Sequence, residues 1–291
     1  MDLYISDLDG TLLTPDATLS EYSRQVINRL IDAGIGFSVA TARSPSTVQH
    51  LLQGVSLTVP VILMNGACIF DVKKNRIIKS EGMAQAVRRK LFQILQRHQA
   101  EGFIYTIDQN KVSIWYESLE TPEAQQFVAE REQRFGSNFT KVRNFAETLT
   151  GRTIVNFSIT DTPERLDPLY RELSGSDLFR IEYYQDVYRP QQNFLEVCAV
   201  TASKYHAVRY LRSLGGFGKV TCFGDNLNDL PMFQASDRRL AVSNARPEVK
   251  EQADSIIGSN TEDGVARWLQ HHLITEPAGL YRLMTQQQPE Q

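Results

Sequence analysis

The 291-residue sequence predicts an α/β fold in which a parallel sheet, covered by helices on both faces, is interrupted by an inserted α+β unit. Short apolar segments of strand length alternate with amphipathic segments of helical period towards both ends of the chain. This alternation is typical of a parallel sheet. Between about residues 83 and 186 the strand-like segments alternate apolar and polar residues, which favours a half-exposed antiparallel sheet.

Three apolar runs in the first third of the chain are predicted to be strands, and the segments between them helices. The strands cover residues 3–6, 37–40 and 61–64. Ser20 is placed to cap a first helix, which Gly34 ends. Ser44-Pro45 indicates the start of a second helix, because proline is favoured at the first helical position.

The inserted unit begins with an amphipathic helix and continues with strands and two further helices. The predicted helices cover residues 87–95, 121–135 and 163–173. The predicted strands cover residues 103–106, 112–116, 154–159 and 179–184. About 100 residues is an ordinary size for a domain, so this segment is long enough to fold as one.

After the insert the pattern of the parallel sheet returns. Strands are predicted at residues 194–197, 220–223 and, as the last, 240–242. Thr201 or Ser203 caps a helix that Gly215-Gly216 ends, and the polar residues 286–291 are expected to fray. We therefore divide the chain into a core of residues 1–82 and 187–291 and an inserted domain of residues 83–186.

Composition and charge exclude several classes of protein. The longest apolar stretch, residues 59–64, is too short to span a bilayer, and Met1 leads at once into a strand, so no signal peptide is expected. Cys68, Cys198 and Cys222 lie among apolar neighbours, which indicates reduced core cysteines and a cytoplasmic protein. A net charge of −3 argues against a nucleic-acid partner, and it means that an anion site needs local positive charge or a metal.

Two carboxylates follow the first predicted strand directly. Asp7 and Asp9 are one residue apart, so in an extended chain both side chains point to the same face. Gly10 then allows a turn that directs them to one site. Such a pair suits nucleophilic attack combined with acid–base chemistry on a phosphate ester, whereas the tripeptide taken alone favours a simple Asp-Gly turn.

Polar clusters occupy three further places of the same kind, at the end of an apolar strand or at a helix start. The four clusters are Asp7-Leu8-Asp9-Gly10-Thr11, Thr41-Ala42-Arg43, Lys204, and Gly224-Asp225-Asn226-Leu227-Asn228-Asp229. Each cluster alone is weak evidence for a ligand site, because three of them have simpler explanations: a strand-end hydroxyl, a surface lysine and a helix cap. Ligands of open α/β sheets bind beyond the carboxyl ends of the strands, so we expect the four clusters to converge.

The order of the clusters resembles the haloacid dehalogenase superfamily of phosphohydrolases, whose four motifs match at residues 7–11, Thr41, Lys204 and 225–229. The insert lies between the second and third motifs, as in the Cof-like, large-cap (type IIB) branch. Asn65-Gly66-Ala67 and Asn244-Ala245 also lie near their usual sites in that branch. The resemblance covers nearly the whole chain and implies a Rossmann-like core with an inserted cap domain that sets substrate specificity.

The resemblance also implies a role for each acidic residue. Asp7 is the expected nucleophile and forms an aspartyl-phosphate, while Asp9 protonates the leaving group and then activates water. Asp7 and Asp225 are expected to bind Mg²⁺, to which Asp9 contributes its backbone carbonyl. Asp229 is expected to support Lys204 or the metal site without binding the metal directly.

The remaining roles concern the phosphoryl group. Thr41 and Asn228 are expected to hold its oxygens, and Lys204 to counter the charge on both Asp7 and the phosphate. Arg43 either binds substrate or phosphate, or pairs with an acid, and the two alternatives weigh equally.

A charge count supports the metal independently. Four carboxylates stand beside a phosphate dianion in the expected site, and Lys204 supplies one positive charge and Arg43 at most another. The four belong to Asp7, Asp9, Asp225 and Asp229. Repulsion at these distances amounts to several kcal/mol in a partly buried site, so without Mg²⁺ the site is not expected to accept a phosphate.

Some positions depart from the family's pattern or stay open. Relatives usually have glycine after the lysine, whereas Tyr205-His206 follows here and could narrow the site or contact substrate. His206 is favoured as a helix-surface residue over a catalytic base, and Asn65 as a turn former over a substrate contact. Three residues near the end of the insert could line its entrance: Tyr188, Arg189 and Glu196.

The sequence is compatible with three functions. The first is an Mg²⁺-dependent phosphatase of small phosphorylated metabolites, with sugar phosphates foremost. The second is a phosphomutase, which uses the same two aspartates but excludes water. The third is a non-catalytic sensor of phosphorylated ligands, against which Asp9 argues because binding alone needs no general acid. The physiological substrate and the oligomeric state do not follow from the sequence.

Overall fold

The structure is a computed structural model, and it describes residues 1–275. The described chain divides into two compact units. The first unit comprises Met1–Thr41, Leu51–Val61 and the chain from Ala207 onward, and the second comprises Ala42–His50 and Ile62–His206. The polar tail of residues 286–291, which we expected to fray, lies outside the described residues.

The first unit is built on a five-stranded parallel sheet in the order β14-β13-β12-β1-β2. Its strands are β1 (Leu3–Ser6), β2 (Gly36–Val39), β12 (Val220–Gly224), β13 (Arg238–Val242) and β14 (Ser255–Ile257). In the register of the three neighbouring strands, Ser6 at the end of β1 lies opposite Phe223 and Val39. The carboxyl ends of β1, β2 and β12 therefore meet at the same edge of the sheet.

The helices described in the first unit include α1 (Glu21–Asp32), α8 (Leu230–Gln234), α9 (Pro247–Gln252) and α10 (Gly264–Thr275). Of these four, the sequence predicted α1. The Ser20 hydroxyl accepts a hydrogen bond from the Ser23 backbone N–H at 3.0 Å, so Ser20 caps α1 as expected. After α1 the chain turns through Gly34, whose φ of +76° is accessible to glycine without strain.

The second unit contains a six-stranded sheet in the order β10-β11-β9-β6-β7-β8. Its strands are β6 (Phe103–Asp108), β7 (Lys111–Tyr116), β8 (Phe139–Lys141), β9 (Thr153–Asp161), β10 (Phe179–Gln185) and β11 (Asn193–Ala199). Its helices are α3 (Gln85–Arg97), α4 (Pro122–Phe135), α5 (Phe145–Thr148) and α6 (Pro163–Ser174). All pairings except that of β7 with β8 are antiparallel, as the alternating sequence predicts. The predicted fold class, α/β with an inserted α+β unit, is confirmed.

The prediction that residues 194–197 return to the parallel sheet is wrong. They lie in β11, which pairs antiparallel with β9 on one side and β10 on the other. β11 is a central strand and is buried over its last five residues. A strand covered on both faces has a nearly continuous apolar sequence in either kind of sheet, so its composition could not distinguish the two.

Two smaller differences concern the parallel sheet. The run at residues 61–64 was expected there, but β3 (Val61–Leu63) belongs to a separate three-stranded sheet with β4 (Cys68–Asp71) and β5 (Arg76–Ser80). The tight turn that follows β3 leads directly into β4, its neighbour in that sheet. β14 was not predicted, because it is only three residues long and mostly exposed.

The segments that lead into the motifs follow the prediction closely. In the second unit, α2 (Pro45–Leu51) starts at the proline that follows Ser44. α7 (Lys204–Gly215) begins in the second unit and continues in the first, and Ser203 caps it by accepting the His206 backbone N–H at 3.1 Å. All three cysteines are buried and none forms a disulfide, as expected. Among the described residues, no helix combines the length and the apolar character that a bilayer crossing needs.

Candidate active site

Three buried carboxylates meet at the carboxyl ends of β1 and β12. They belong to Asp7, Asp225 and Asp229, whose relative exposures are 6%, 5% and 0%. One oxygen from each lies within 4.8 Å of the others. Asp7 directly follows β1, and its backbone N–H donates to the Phe223 carbonyl at 3.0 Å, so the parallel pairing of the two strands brings the first and fourth motifs together.

The first motif shapes the position of Asp225. The Thr11 hydroxyl donates to Asp225 Oδ1 at 2.6 Å. Gly10 has a φ of +75°, and a Cβ at this position would lie only 2.4 Å from Asp225 Oδ2. Gly10 is therefore required both by the turn and by the close approach of Asp225, and the second reason was not visible in the sequence.

Asp229 holds the loop that carries Asp225. Its Oδ2 accepts the backbone N–H groups of Asp225 at 2.9 Å and of Asn226 at 3.0 Å. The bond from Asn226 is one half of a capping box around the short helical turn Leu227–Asp229, in which the Asn226 side chain accepts the Asp229 backbone N–H. Gly224 makes the contact possible, because a Cβ there would lie 2.7 Å from that of Asp229.

Two asparagines fix the turn that follows β1. Asn244 Nδ2 donates to the Gly10 carbonyl at 2.7 Å, and Asn244 Oδ1 accepts the Asn260 backbone N–H at 3.0 Å. Asn260 Nδ2 in turn donates to the Leu13 carbonyl at 2.9 Å. The position of Asn244 was noted in the sequence analysis, whereas Asn260 was missed because an asparagine after a short exposed strand gives no distinctive pattern.

The other motif residues of the first unit lie at the same strand ends. Asp9 is half-buried within the turn Leu8–Leu12. Thr41 is fully buried just after β2, and Asn228 is buried in the turn after β12. The first unit thus carries six of the eight site residues predicted from the sequence.

Lys204 and Arg43, the two predicted cationic residues, lie in the second unit. Lys204 is the first residue of α7 and is 1% exposed, which is exceptional for a lysine. Arg43 is half-buried, and its carbonyl accepts the Met64 backbone N–H at 3.2 Å. His206 is exposed on α7, as favoured, and its Nδ1 lies 2.9 Å from the Ser203 hydroxyl.

The second unit also contains a buried acid that the sequence could not place. Glu196 on β11 is 4% exposed and accepts hydrogen bonds from the side-chain amides of Asn65 and Asn156 and from the Tyr184 hydroxyl. Burial raises the pKa of Glu196 to about 7, against the lowering effect of these donors. Tyr188 and Arg189 were expected, together with Glu196, near the entrance of the insert, but they are not buried as Glu196 is. Tyr188 is exposed, and the Arg189 guanidinium lies 3.5 Å from the Glu130 carboxylate.

The fold and the three carboxylates together define a class of protein, an α/β enzyme with an oxygen-rich site beyond the carboxyl ends of parallel strands. The comparisons with known proteins narrow this class. Residues 4–269 match the family model of the haloacid dehalogenase-like hydrolases. The chain belongs to the haloacid dehalogenase-like hydrolase family.

Named relatives extend the match over nearly the whole chain. The chain is 27% identical to the pyridoxal phosphate phosphatase YbhA of Escherichia coli, covering 92% of this chain and 97% of YbhA. It is 26% identical to the 5-amino-6-(5-phospho-D-ribitylamino)uracil phosphatase YwtE of Bacillus subtilis, covering 90% and 95%. The solved structure of the HAD subclass IIB sugar phosphatase BT4131 has a TM-score of 0.73 at 18% identity, covering 94% of this chain and 99% of that one, and shows the same fold. The chain is a phosphatase of this family, and the predicted superfamily and Cof-like branch are confirmed.

Replacement of Gly10 by alanine is predicted to disturb Asp225 specifically. Gly34→Ala is a matched control, since Gly34 has nearly the same φ (+76° against +75°) and a Cβ there would meet nothing within 4 Å. Both variants should lose about 1–2 kcal/mol in the free energy of unfolding from backbone strain. Only Gly10→Ala should lose more than this and also lose at least about tenfold in phosphatase activity. Urea unfolding and steady-state assays measure both effects, and equal losses in the two variants would contradict the role assigned to Gly10.

The buried Glu196 predicts a pH dependence of stability. Its folded pKa of about 7 lies above the ordinary value of 4.5, so its contribution is full below pH 4.5 and is lost as the pH rises towards 7. At about 1.4 kcal/mol per pKa unit, the loss is roughly 3 kcal/mol. Urea unfolding near pH 5 and near pH 8 should show this decrease in the wild type and a smaller one in Glu196→Gln. If both proteins changed equally, another group would be responsible.

Proposed function

We propose that this phosphatase hydrolyses small phosphorylated metabolites in an Mg²⁺-dependent reaction that passes through an aspartyl-phosphate on Asp7. The observation that carries the proposal is the buried group of Asp7, Asp225 and Asp229, with one oxygen of each within 4.8 Å of the others, and with Asp9 two residues after Asp7. A carboxylate can attack phosphorus, and a second carboxyl beside it can transfer the proton that the leaving group needs.

The donor set fits magnesium. Mg²⁺ prefers oxygen ligands and typically binds through one or two carboxylates together with substrate phosphate and water. Like charges at this separation repel by about 3 to 4 kcal/mol per pair at an effective dielectric constant of about 20, and a divalent cation removes this cost. Asp7 and Asp225 would hold the ion, with the Asp9 backbone carbonyl as a third protein ligand. When bound, Mg²⁺ supplies positive charge that neutralises the phosphoryl oxygens.

The proposed reaction has two steps. In the first, an Asp7 carboxylate oxygen forms a bond to phosphorus while the bond from phosphorus to the ester oxygen breaks, and the Asp9 carboxyl gives its proton to that oxygen. In the second, the Asp9 carboxylate takes a proton from water, and the resulting hydroxide displaces Asp7 from phosphorus to release inorganic phosphate. Each group returns to its starting state.

The remaining predicted residues would bind and orient the phosphoryl group. Thr41 and Asn228, which lie at the strand ends of the first unit, would donate hydrogen bonds to its oxygens. Lys204 and Arg43 would supply the positive charge that the chain, with its net charge of −3, lacks overall. Asp229 would hold the Asp225 loop, since its Oδ2 accepts the backbone N–H groups of Asp225 and Asn226.

For the substrate we propose a small phosphorylated metabolite recognised by an inserted cap domain of residues 83–186, with residues 1–82 and 187–291 forming the catalytic core. The resemblance to the large-cap branch favours sugar phosphates. The relatives YbhA and YwtE are named for pyridoxal phosphate and 5-amino-6-(5-phospho-D-ribitylamino)uracil, which are small phosphorylated compounds but not simple sugar phosphates. A substrate panel should therefore contain all three kinds of compound.

The covalent, metal-dependent mechanism is tested with p-nitrophenyl phosphate. Wild-type activity should require Mg²⁺ and vanish with EDTA, and Asp7→Asn should be inactive because an amide is a poor nucleophile. Asp2→Asn, at an exposed position just before β1, is the matched control and should keep full activity. Turnover without metal, or equal hydrolysis by wild type and Asp7→Asn, would contradict the mechanism. Phosphate release from hexose phosphates without isomer formation would exclude a phosphomutase.

Asp9→Asn is predicted to separate turnover from metal binding. Loss of a general acid and base should lower kcat by about 10²–10⁴-fold. Mg²⁺ binding, measured by calorimetric titration, should change little because the Asp9 ligand is its backbone carbonyl. Asp225→Asn should instead weaken Mg²⁺ binding directly. Strong loss of Mg²⁺ binding in Asp9→Asn would show that the Asp9 side chain is a ligand.

A further inference from the structure

The turn between β3 and β4 has a strained backbone. Met64, Asn65 and Gly66 follow one another with φ angles of +49°, +51° and +97°. Glycine adopts such angles readily and asparagine does so occasionally, whereas for methionine they are unfavourable. Strain of this kind persists only where surrounding contacts enforce it.

The strained turn contacts the peptide that leads into Lys204. A Cβ on Gly66 would lie 2.3 Å from the carbonyl carbon and oxygen of Ser203 and 2.8 Å from the backbone nitrogen of Lys204. The backbone of the turn therefore packs directly against the first residue of α7. A displacement of the turn would move this peptide or leave a gap behind it.

Hydrogen bonds also hold the turn. The Met64 N–H donates to the Arg43 carbonyl at 3.2 Å, and the Ala67 N–H donates to the Met64 carbonyl at 3.0 Å. The Asn65 side-chain amide donates to the Glu196 carboxylate. The last of these bonds reaches another sheet, because its acceptor Glu196 lies on β11.

Glu196 is itself fixed. Asn156 on β9 donates to one of its oxygens at 3.4 Å, and Tyr184 on β10 donates to the other at 3.3 Å. Both strands flank β11, so the carboxylate is oriented by the six-stranded sheet. The proposed reaction gives this buried acid no role.

We propose that Glu196 is a positioning residue, which holds the Met64–Gly66 turn through Asn65 and thereby places Lys204 for the reaction. The inference rests on the proposed function, in which Lys204 counters the charge of the phosphoryl group. Glu196 touches no reacting atom in this scheme. Its effect passes from its carboxylate to Asn65, through the Gly66 backbone, to the Ser203–Lys204 peptide.

The test uses the full-length enzyme, p-nitrophenyl phosphate as substrate and inorganic phosphate as competitive inhibitor. Glu196→Leu removes the acceptor, and Asn65→Gly removes the donor while it keeps the positive φ accessible. Each should lower kcat at least about tenfold and weaken inhibition by phosphate at least about fivefold. The inhibition constant is informative because a smaller folded fraction lowers kcat but leaves that constant unchanged. Glu196→Gln keeps an acceptor oxygen and should stay within about threefold of wild type in both quantities.

Two further variants locate the effect. Glu182 lies opposite Glu196 in the β10–β11 register and is also buried, so Glu182→Gln is the matched control and should retain wild-type inhibition by phosphate. In a Lys204→Met background, Glu196→Leu should not weaken phosphate inhibition further. An unchanged inhibition constant in Asn65→Gly, or an equal additional loss in the Lys204→Met background, would overturn the proposal. Failure of the proposed function would be seen separately, as Asp7-independent activity of the wild type.

Discussion

The loops of the first unit are organised around one constraint, which is the close approach of acidic side chains at the carboxyl ends of β1 and β12. Three carboxylates are buried with an oxygen of each within 4.8 Å of the others, although buried like charges are among the costliest arrangements in a protein. The surrounding contacts orient these groups: a hydroxyl from Thr11 for Asp225, and two backbone N–H groups for Asp229. These donors are uncharged groups, so they orient the oxygens without themselves supplying positive charge. A divalent cation would supply it.

Much of this arrangement could be predicted because it depends on local patterns. Apolar runs marked the strands β1, β2 and β12, and parallel strands bring their carboxyl ends to one edge, so Asp7 and Asp225 were expected to meet. The helix starts after Ser20, after Ser44 and after Thr201 or Ser203 followed from capping and from the preference for proline at the first helical position, and the structure shows Ser203 as the cap of the third. The sequence pattern explained Gly10 by a turn. It did not show the close approach of Gly10 to Asp225, because these two residues are more than 200 positions apart in the sequence.

The remaining differences have a common physical origin. β11 is buried on both faces in an antiparallel sheet, and its apolar sequence equally suits a parallel strand. Asn260 and Glu196 act through side-chain contacts between segments that are distant in sequence, and neither stands in a pattern of spacing. Sequence periodicity reports which face of an element is covered. It does not show which element covers that face, and the roles of Asn260 and Glu196 depend on which elements they contact.

The two units accommodate buried acids in different ways, and the difference follows from the donors around them. Glu196 is surrounded by amides and a hydroxyl, which only partly offset the loss of hydration, so burial raises its pKa to about 7 and a proton can remove the charge. The Asp229 carboxylate instead accepts main-chain N–H groups of its own loop, and the Asp225 carboxylate accepts the Thr11 hydroxyl from the loop after β1, so the folding of these two loops orders both acids. An isolated buried acid with outside donors can serve as a structural anchor, as we propose for Glu196. Asp225 and Asp229 are instead held close together by the loops that follow β1 and β12, and closely spaced carboxylates are the arrangement that a divalent cation requires.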